Sequence, residues 1–533
     1  MGSYFIGVDV GTGSARAGVF DAEGRMLGAG KSDTTLFREA GSIVEQSSAE
    51  IWSAVCTAVR AAMAQAGVPP TEVRGVGFDA TCSLVVLGPD GRSLPVGPSE
   101  DPARDIMVWM DHRATDQAAR INAGGHAVLA YVGGAISPEM ETPKLLWLKE
   151  NRALIYDAAW QFFDLTDFLT WRASGSLARS SCTLTCKWTY LAHERRWDPD
   201  YFRAIGLGVL ADDDFVRIGR EVVEPGAALG AGLTETAAAD LGLEPGTAVA
   251  AGLIDAHAGG VGTVGAEGDP TRCMAYVFGT SSCTMTTTRD PVFVPGVWGP
   301  YFSAMIPGAW LNEGGQSAAG AAIDQLVGFH PASSEAAALA SAAGKSLPEW
   351  LADRASGAGD LSGAVSLAGR IHVVPEFLGN RAPFADPHAR ALVAGLGMER
   401  DVDSLVALYI AGVCGLGYGL RQIVEAQSAS GAPVETIAIS GGAGRHPLIR
   451  QLLADATGLP ILATRAAEPV LLGSAMLGAV AAGTYPDIHA AMSAMSSIES
   501  KSHPAQRDIR FMHDRRFGSF RRLQQIGREL RGD

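Results

Sequence analysis

Residues 7–21 read GVDVGTGSARAGVFD, an apolar run that ends on Asp9, turns through two glycines and leaves as a second apolar run. The pattern predicts two β-strands joined by a short turn. Glycines let backbone N–H groups approach an anion closely, hydroxyl side chains add donors, and Asp9 can hold a hydrated Mg²⁺ beside phosphates. The hairpin is therefore a candidate phosphate site, with a purely structural turn as the alternative. The turn consists of Gly11, Thr12, Gly13 and Ser14.

A similar pattern returns about half the chain later, where residues 277–285 read VFGTSSCTM. Another apolar strand enters a turn of small hydroxylated residues and leaves through a threonine-rich strand. Two like hairpins at this separation predict two like domains that face each other, with the phosphates of a nucleotide between them. The second turn contains Gly279, Thr280 and Ser281.

A third motif lies at residues 439–460, which read ISGGAGRHPLIRQLLADATGLP. It predicts a strand, a glycine turn and an amphipathic helix, because the leucines after the turn recur at helical spacing. Small residues in the turn allow a flat base or a ribose to approach closely. These residues are Gly441, Gly442 and Ala443.

The order of these motifs resembles the FGGY carbohydrate kinases of the actin-like ATPase superfamily. The resemblance extends over roughly residues 5–485 and includes an isolated Asp255 ahead of the second hairpin. It implies an α/β fold of two actin-like (ribonuclease H-like) ATPase domains with a nucleotide and sugar cleft between them. We expect an N-terminal domain at residues 1–267, with the sugar site and first hairpin. A C-terminal domain at 268–533 would carry the second hairpin and the adenosine site.

Composition argues against several kinds of partner. The chain has 533 residues, of which 47% are hydrophobic and 19% charged, as in ordinary globular proteins of two or more domains. There are 42 lysines and arginines against 57 acidic residues, and the net charge of −15 argues against nucleic acid or an anionic membrane as partner. A local nest of backbone amides can still bind the phosphates of ATP on an acidic protein.

The cysteines and the first residues indicate a cellular compartment. The seven cysteines include no C-x-x-C pair, which favours neither a disulfide framework nor a zinc site. The first residues lead directly into a predicted strand rather than into a signal peptide, so we expect a cytoplasmic protein. Residues 470–482 are strongly apolar but shorter than the roughly 20 residues that a membrane helix needs, so no membrane contact is expected.

Sequence patterns outside the three motifs predict several helices. Ser47 and Glu50 form a capping box that predicts a helix. Residues 332–363 are rich in alanine, serine and glycine and predict a helical insertion, whereas residues 404–427 predict a long buried helix. The basic segment from Lys501 onward predicts a surface helix without a recognisable site.

Phosphoryl transfer to an alcohol needs a base, a metal beside the phosphates and donors that stabilise the transferring charge. Asp255 ends an apolar strand and opens a helix of small residues, with a simple helix cap as the alternative role. The resemblance implies that Asp255 is the catalytic base, that Asp9 holds Mg²⁺ and that Arg16 lies near the phosphates. It also implies that both hairpins bind phosphate and that the turn at 441–443 faces adenosine. ATP and Mg²⁺ are thus expected.

Sugar recognition needs polar groups that pair with hydroxyls, because an unpaired buried donor costs about 1–3 kcal/mol. Residues 78–87 read FDATCSLVVL, and the small residues of this run leave room for a longer polyol than glycerol. The run resembles the D-ribulokinase branch, which implies further sugar-facing positions, including one in the W-x-D-x-R pattern of Trp109 to Arg113. For the charged residues at these positions, the alternative role is to form an ion pair at the surface. The expected sugar contacts are Thr81, Cys82, Ser83, Asp111, Lys187, Asp255 and Glu313.

The expected reaction is the ATP-dependent phosphorylation of D-ribulose to D-ribulose 5-phosphate. Within the family, kinases for L-ribulose, ribitol or xylulose are the alternatives. From another class, an actin-like chaperone or switch ATPase would use the same nucleotide core without needing a sugar-facing Asp255. The expected partners are a small sugar and ATP, and a homodimer stays open as an assembly state.

Overall fold

The computed structural model describes residues 2–267, 269–357 and 360–532. The described strands are β1 (Tyr4–Val10), β2 (Ser14–Phe20), β3 (Met26–Asp33), β4 (Phe37–Arg38), β5 (Val44–Gln46), β6 (Val73–Ala80), β7 (Leu84–Leu87), β8 (Ile106–Met107), β9 (Gln161–Asp164), β10 (Arg179–Ser180), β11 (Val222–Val223), β12 (Ala248–Val249), β13 (Leu253–Ile254), β14 (Cys273–Phe278), β15 (Ser282–Thr288), β16 (Trp298–Phe302), β17 (Trp310–Gln316), β18 (His372–Val374), β19 (Leu392–Ala394), β20 (Thr436–Ser440), β21 (Ile461–Thr464) and β22 (Ile498–Ser502).

The described helices alternate with these strands along much of the chain. They are α1 (Ser48–Ala66), α2 (Thr115–Ala123), α3 (Glu141–Asn151), α4 (Ala153–Ala158), α5 (Leu165–Ser174), α6 (Ser181–Lys187), α7 (Pro199–Ala204), α8 (Gly208–Asp212), α9 (Glu235–Leu241), α10 (Asp255–Val264), α11 (Gly320–Gly328), α12 (Ser333–Ala342), α13 (Leu347–Ser356), α14 (Val402–Ala429), α15 (Pro447–Thr457), α16 (Pro469–Ala481), α17 (Ile488–Met495) and α18 (Asp508–Arg531).

The N-terminal half is built on a sheet of strand order β3-β2-β1-β6-β12, in which β13 also pairs with β6. Strands β1 and β6 run parallel, whereas β1, β2 and β3 form an antiparallel meander. The sheet is covered on both faces, which explains why most side chains of β1 are buried whichever way they point. A smaller sheet of order β4-β5-β8-β7-β9 lies in the same half.

The C-terminal half repeats this topology. Its sheet contains the order β17-β15-β14-β20-β21, extended by β16 at one edge and β22 at the other. In each sheet the first strand forms an antiparallel hairpin with the next strand, β1 with β2 and β14 with β15. On its other side the same first strand pairs in parallel with a later strand, β1 with β6 and β14 with β20. The prediction of two like domains is confirmed, while the boundary between residues 267 and 268 stays a prediction.

The helices predicted from the sequence are present. The hydroxyl of Ser47 accepts a hydrogen bond from the backbone N–H of Glu50 and caps α1. The insertion at 332–363 forms α12, α13 and the start of a 3-10 turn, with residues 358 and 359 outside the described chain. Residues 404–427 lie inside α14.

The helix predicted for the C-terminal segment is confirmed as α18, but the first residues of the segment belong to a strand. Residues 498–502 form β22, and α18 lies at the surface with one face buried against the C-terminal core. Phe517 and Phe520 are nearly fully buried, and Nδ1 of His513 lies 3.0 Å from the hydroxyl of Tyr418. Exposed arginines give the segment its basic composition, which concealed the apolar face from the sequence analysis.

Helix α14 is the central helix of the C-terminal half. By length and composition it could cross a membrane, but 78% of its most apolar window is buried within the fold. It packs against α11, α15 and β18. Burial in a protein core accounts for its apolar sequence.

Helix α16 packs on the N-terminal sheet although in sequence it lies between β21 and β22 of the C-terminal sheet. It packs on β1, β6 and α10. The close approach depends on glycines, because a Cβ on Gly7 would overlap the carbonyl oxygen of Leu471 and a Cβ on Gly262 would overlap that of Pro469. The two halves therefore meet through α10 and α16, backbone against backbone.

Candidate active site

A cavity of about 610 Å³ lies between the two halves. The parallel strands β1, β6 and β13 end at its N-terminal wall, and the hairpin after β14 forms part of the opposite wall. Ligands of open α/β sheets bind outside the carboxyl ends of the strands, so this is the expected position of a site. The sequence-predicted residues that line it are Asp9, Gly11, Thr12, Gly13, Ser14, Arg16, Thr81, Cys82, Lys187, Asp255, Gly279, Thr280, Ser281 and Glu313.

Both hairpin turns close with a backbone hydrogen bond that the first glycine of the turn donates. The N–H of Gly11 donates to the carbonyl of Ser14 over 3.0 Å, and the N–H of Gly279 donates to the carbonyl of Ser281 over 2.9 Å. The second turn also accepts three hydrogen bonds from the backbone at the start of α11. The turns are therefore fixed in shape while their hydroxyl groups line the cavity, as a phosphate site requires.

The first turn is also held by side chains from neighbouring segments. Nε1 of Trp109 donates to Oγ1 of Thr12 over 3.0 Å, and Nε2 of Gln46 donates to the carbonyl of Thr12 over 2.9 Å. Trp109 itself lines the cavity. These contacts orient the turn toward the space between the halves.

Asp9 lines the cavity and has charged or acidic neighbours on adjoining segments. Asp9 is almost fully buried and pairs with Arg16, whose Nε lies 2.8 Å from Oδ2, and Arg16 also reaches Glu468 over 2.8 Å. Asp79 is the register partner of Asp9 on the parallel neighbouring strand. Burial, and then repulsion from Asp9, raises the pKa of Asp79 well above its usual range. Of these two carboxyl groups Asp9 lines the cavity, where its oxygens are the kind of ligand that Mg²⁺ prefers.

Asp255 is the first residue of α10 and its half-buried side chain lines the cavity. Its Oδ1 accepts a hydrogen bond from the N–H of Ala256 over 2.7 Å. Burial, and then repulsion from Asp9, raises the pKa of Asp255 to about 7. A carboxyl group that titrates near neutral pH has the basicity that suits a general base.

Charged side chains from both halves line another part of the cavity. Lys187 ends α6, Glu313 lies on β17, and Nη2 of Arg381 lies 2.7 Å from Oε1 of Glu313. Burial alone would raise the pKa of Glu313, but a hydrogen bond from His257 and the charges of Arg381 and Lys187 hold it below its usual range. Burial raises the pKa of Cys82 to about 12, so this thiol is neutral.

Comparisons with known proteins agree with this geometry. Models described as the N-terminal and C-terminal domains of the FGGY family of carbohydrate kinases match residues 4–262 and 274–482. The chain belongs to the FGGY family of carbohydrate kinases. An FGGY carbohydrate kinase domain-containing protein of Homo sapiens is 45% identical over 98% of this chain and 96% of its own length. A D-ribulokinase of Saccharomyces cerevisiae is 39% identical over 90% of this chain and 72% of its own length.

Solved structures show the fold of this FGGY kinase. The crystal structure of a xylulose kinase from Rhodospirillum rubrum matches with a TM-score of 0.80 and 20% identity, covering 99% of each chain. The predicted fold of two actin-like ATPase domains is thereby confirmed. Membership of the family also implies ATP as the phosphoryl donor.

Two predicted sugar contacts of the FGGY kinase lie outside the cavity lining in the described chain. Ser83 is fully buried, and its hydroxyl accepts a hydrogen bond from the N–H of Trp109 over 3.1 Å. Asp111 is also fully buried, with its oxygens bound by Arg113 and by the N–H of Val44. Ser83 supports the lining residue Trp109, Asp111 is held by Arg113, and the predicted contact of both with the sugar stays a prediction.

The predicted adenosine turn lies beside the second hairpin rather than in the main cavity. Gly441 has a φ of 95°, and a Cβ there would overlap the carbonyl oxygen of Phe278. Gly441 lines a separate cavity of about 230 Å³ together with Arg445, and Gly442 lies outside this lining. The side chain of Ala443 is outside the described part of the chain, and the adenosine role of the turn stays a prediction.

Two charged residues that line the main cavity, Glu139 and Arg381, belong to no motif recognised in the sequence. Glu139 precedes α3 and lies 3.1 Å from His112, whereas Arg381 comes from the segment between β18 and β19. Neither residue has a spacing typical of a site. Tertiary packing alone brings them to the cavity, so one sequence carries no signal for them.

Proposed function

We propose that this kinase transfers the γ-phosphoryl group of ATP to the terminal hydroxyl of D-ribulose, giving D-ribulose 5-phosphate. The observation that carries the proposal is one cavity that combines the small Thr81 and Cys82 with the charged Lys187, Glu313 and Arg381. Small side chains leave space for a five-carbon chain, and the charged groups can pair with its hydroxyls. The 39% identity to the D-ribulokinase of Saccharomyces cerevisiae supports the same sugar.

In this proposal Asp255 accepts the proton of the attacking hydroxyl while the new oxygen–phosphorus bond forms and ADP leaves. Its raised pKa, about 7, gives it a stronger affinity for that proton than an exposed carboxylate has. The hydroxyls and N–H groups of both hairpins stabilise the negative charge on the transferring group. Each role is assigned to a residue that lines the same cavity.

Asp9 is the proposed ligand of Mg²⁺, acting mainly through bound water. The bound cation would neutralise charge on the phosphate oxygens. Arg16 keeps the Asp9 carboxylate oriented through its ion pair. Asp79, the register partner of Asp9 on the neighbouring strand, is fully buried and lies outside the described cavity lining.

A cytoplasmic location is part of the proposal. Six of the seven cysteines, Cys56, Cys82, Cys182, Cys186, Cys283 and Cys414, are free thiols in the structure, and four of these six are buried. Free thiols are typical of reducing compartments, where disulfides are rare. Fractionation of cells that express a tagged protein tests this assignment, and recovery with the secreted fraction would contradict it.

A coupled assay of ADP release tests the sugar. D-ribulose, L-ribulose, ribitol and xylulose are supplied with ATP and Mg²⁺, and we expect kcat/KM for D-ribulose to exceed the others by at least about tenfold. A higher value for another sugar would reassign the substrate within the family. ATP hydrolysis at full rate without any sugar would favour a switch ATPase instead.

A matched pair of substitutions at Cys82 tests the position of the sugar. Cys82→Arg puts a long cation into space assigned to the carbon chain, so KM for D-ribulose should rise by at least about tenfold while KM for ATP changes little. Cys82→Ser nearly keeps the volume and serves as the control. Unchanged D-ribulose kinetics in Cys82→Arg would contradict the proposed placement.

A further inference from the structure

His257 is a fully buried residue in the first turn of α10, two positions after Asp255. Its two ring nitrogens face different partners. Nδ1 lies 3.2 Å from Sγ of Cys182 on α6, and Nε2 lies 3.3 Å from Oε2 of Glu313 on β17. The ring therefore links a helix of the N-terminal half to a strand of the C-terminal sheet.

The surroundings favour a protonated ring. Burial alone would lower the pKa of His257, but the contacts with Cys182 and Glu313 raise it above its usual range. Cys182 shifts the opposite way, because hydrogen bonds from Cys186 and His257 outweigh burial and lower the pKa of its thiol. The N–H of Ile254 also donates to Sγ of Cys182 over 3.4 Å. An imidazolium donates from both nitrogens at once, so it fits between a thiolate and a carboxylate.

Glu313 is held at both carboxylate oxygens. Oε2 faces His257, and Oε1 accepts from Nη2 of Arg381 over 2.7 Å. The carboxylate is only 7% exposed but still lines the cavity, whereas His257 is not among the described lining residues. Two donors in fixed positions set the plane of the carboxylate, and with it the direction of the lone pairs left for a ligand.

We propose that His257 is a positioning residue for sugar recognition, which fixes the Glu313 carboxylate from behind the cavity wall so that its free lone pairs meet sugar hydroxyls. The inference rests on the proposed function, since it places a polyol against Glu313. Arg381 holds the other oxygen but is itself exposed to the cavity. His257 therefore acts through Glu313, without touching the ligand.

The side chains around Nδ1 of His257 could also be considered as a metal site. Sγ of Cys182, Sγ of Cys186 and a ring nitrogen of His257 lie within 4.8 Å of one another, and zinc binds such ligands. Structural zinc sites have four ligands, and the described residues supply three here. The 3.2 Å contact between Cys182 and His257 is that of a direct hydrogen bond. Elemental analysis should find no stoichiometric zinc, and one zinc per chain would overturn the proposal.

Two substitutions of His257 test the contacts of its two ring nitrogens separately. His257→Gln places an amide near the position of Nε2 and keeps a donor for Glu313, whereas His257→Asn places it near Nδ1 and keeps a donor for Cys182. We expect His257→Asn to raise KM for the sugar by about tenfold while KM for ATP stays within about twofold. His257→Gln should change KM for the sugar by less than about threefold. Equal increases in both variants, or none in His257→Asn, would overturn the proposal.

Thermal unfolding of both variants supplies the control. A merely structural role would lower the melting temperature without separating the two variants by their KM for the sugar. The sugar used is the one that the unaltered protein phosphorylates best in the ADP-release assay. A preference for another sugar would contradict the D-ribulose assignment, while the KM difference between the two variants on that sugar would still decide the role of His257.

Discussion

The pKa of Asp255 sets an expected pH dependence at the scale of a single residue. Burial and repulsion from Asp9 raise it to about 7, while His257 and Lys187 act in the opposite direction. As the pH falls below this value, the carboxyl group becomes protonated and can no longer accept the hydroxyl proton. The kcat/KM for the sugar should therefore fall about tenfold per pH unit below neutrality and level off above it. A flat profile down to about pH 5.5 would contradict the role.

Replacing Asp255 by Asn keeps the shape of the side chain and removes the base. We expect Asp255→Asn to lower kcat by roughly 10²–10⁴ while ATP binding, measured by calorimetry, is retained. Asp290→Asn is the matched control, because Asp290 is an exposed residue outside the described cavity lining. Turnover near the normal value in Asp255→Asn would show that the base lies elsewhere.

Single residues also show how far one sequence can predict a site. Asp255 and the hairpin residues could be located because each follows a strand and its chemistry belongs to a local motif. Asp111 belongs to an equally clear motif, yet the structure points its carboxylate at Arg113 rather than into the cavity. Arg381 and His257 have no motif at all. Which way a side chain faces depends on packing between distant elements, and local spacing does not encode it.

At the scale of elements, the contact between α10 and α16 permits a direct test. A Cβ on Gly262 would overlap the carbonyl oxygen of Pro469, so Gly262→Ala should cost about 1–3 kcal/mol of stability by overpacking. Gly518→Ala on α18 is the control, since a Cβ there meets nothing within 4 Å and alanine favours a helix. Thermal melts should show a loss for Gly262→Ala alone. Equal melting temperatures would mean that the helices separate without cost.

A helix or strand could be predicted from the sequence where the residues that determine it lie close together in the chain. The two hairpins, α1 with its Ser47 cap and the long α14 all follow from residues close together in the chain. The buried face of α18 was missed because its partners, including Tyr418, lie about a hundred residues away. The close packing of α16 on the N-terminal sheet likewise depends on glycines from β1, β6 and α10 acting together. No single stretch contains that information.

At the scale of the whole molecule, the two repeated sheets imply a cleft between the halves. The width of this cleft decides whether groups of both halves can contact the same ligands. The first hairpin and Asp9 belong to one half, whereas the second hairpin and Glu313 belong to the other. Catalysis requires both sets of groups to contact one ATP and one sugar. The glycine-mediated contact of α10 with α16 is one of the places where the backbones of the two halves meet, and we expect closure to pivot there.

Binding of sugar and nucleotide should therefore close the cleft. A sugar whose hydroxyls pair with both halves would exclude water and align its terminal oxygen with the γ-phosphate, so ATP hydrolysis without sugar should be slow. We expect small-angle X-ray scattering to show a smaller radius of gyration with D-ribulose and a non-hydrolysable ATP analogue together than with either alone. The single-ligand samples are the controls, because each contacts an incomplete set of groups. A scattering curve unchanged at saturation with both ligands would favour a cleft that is already formed before substrate binds.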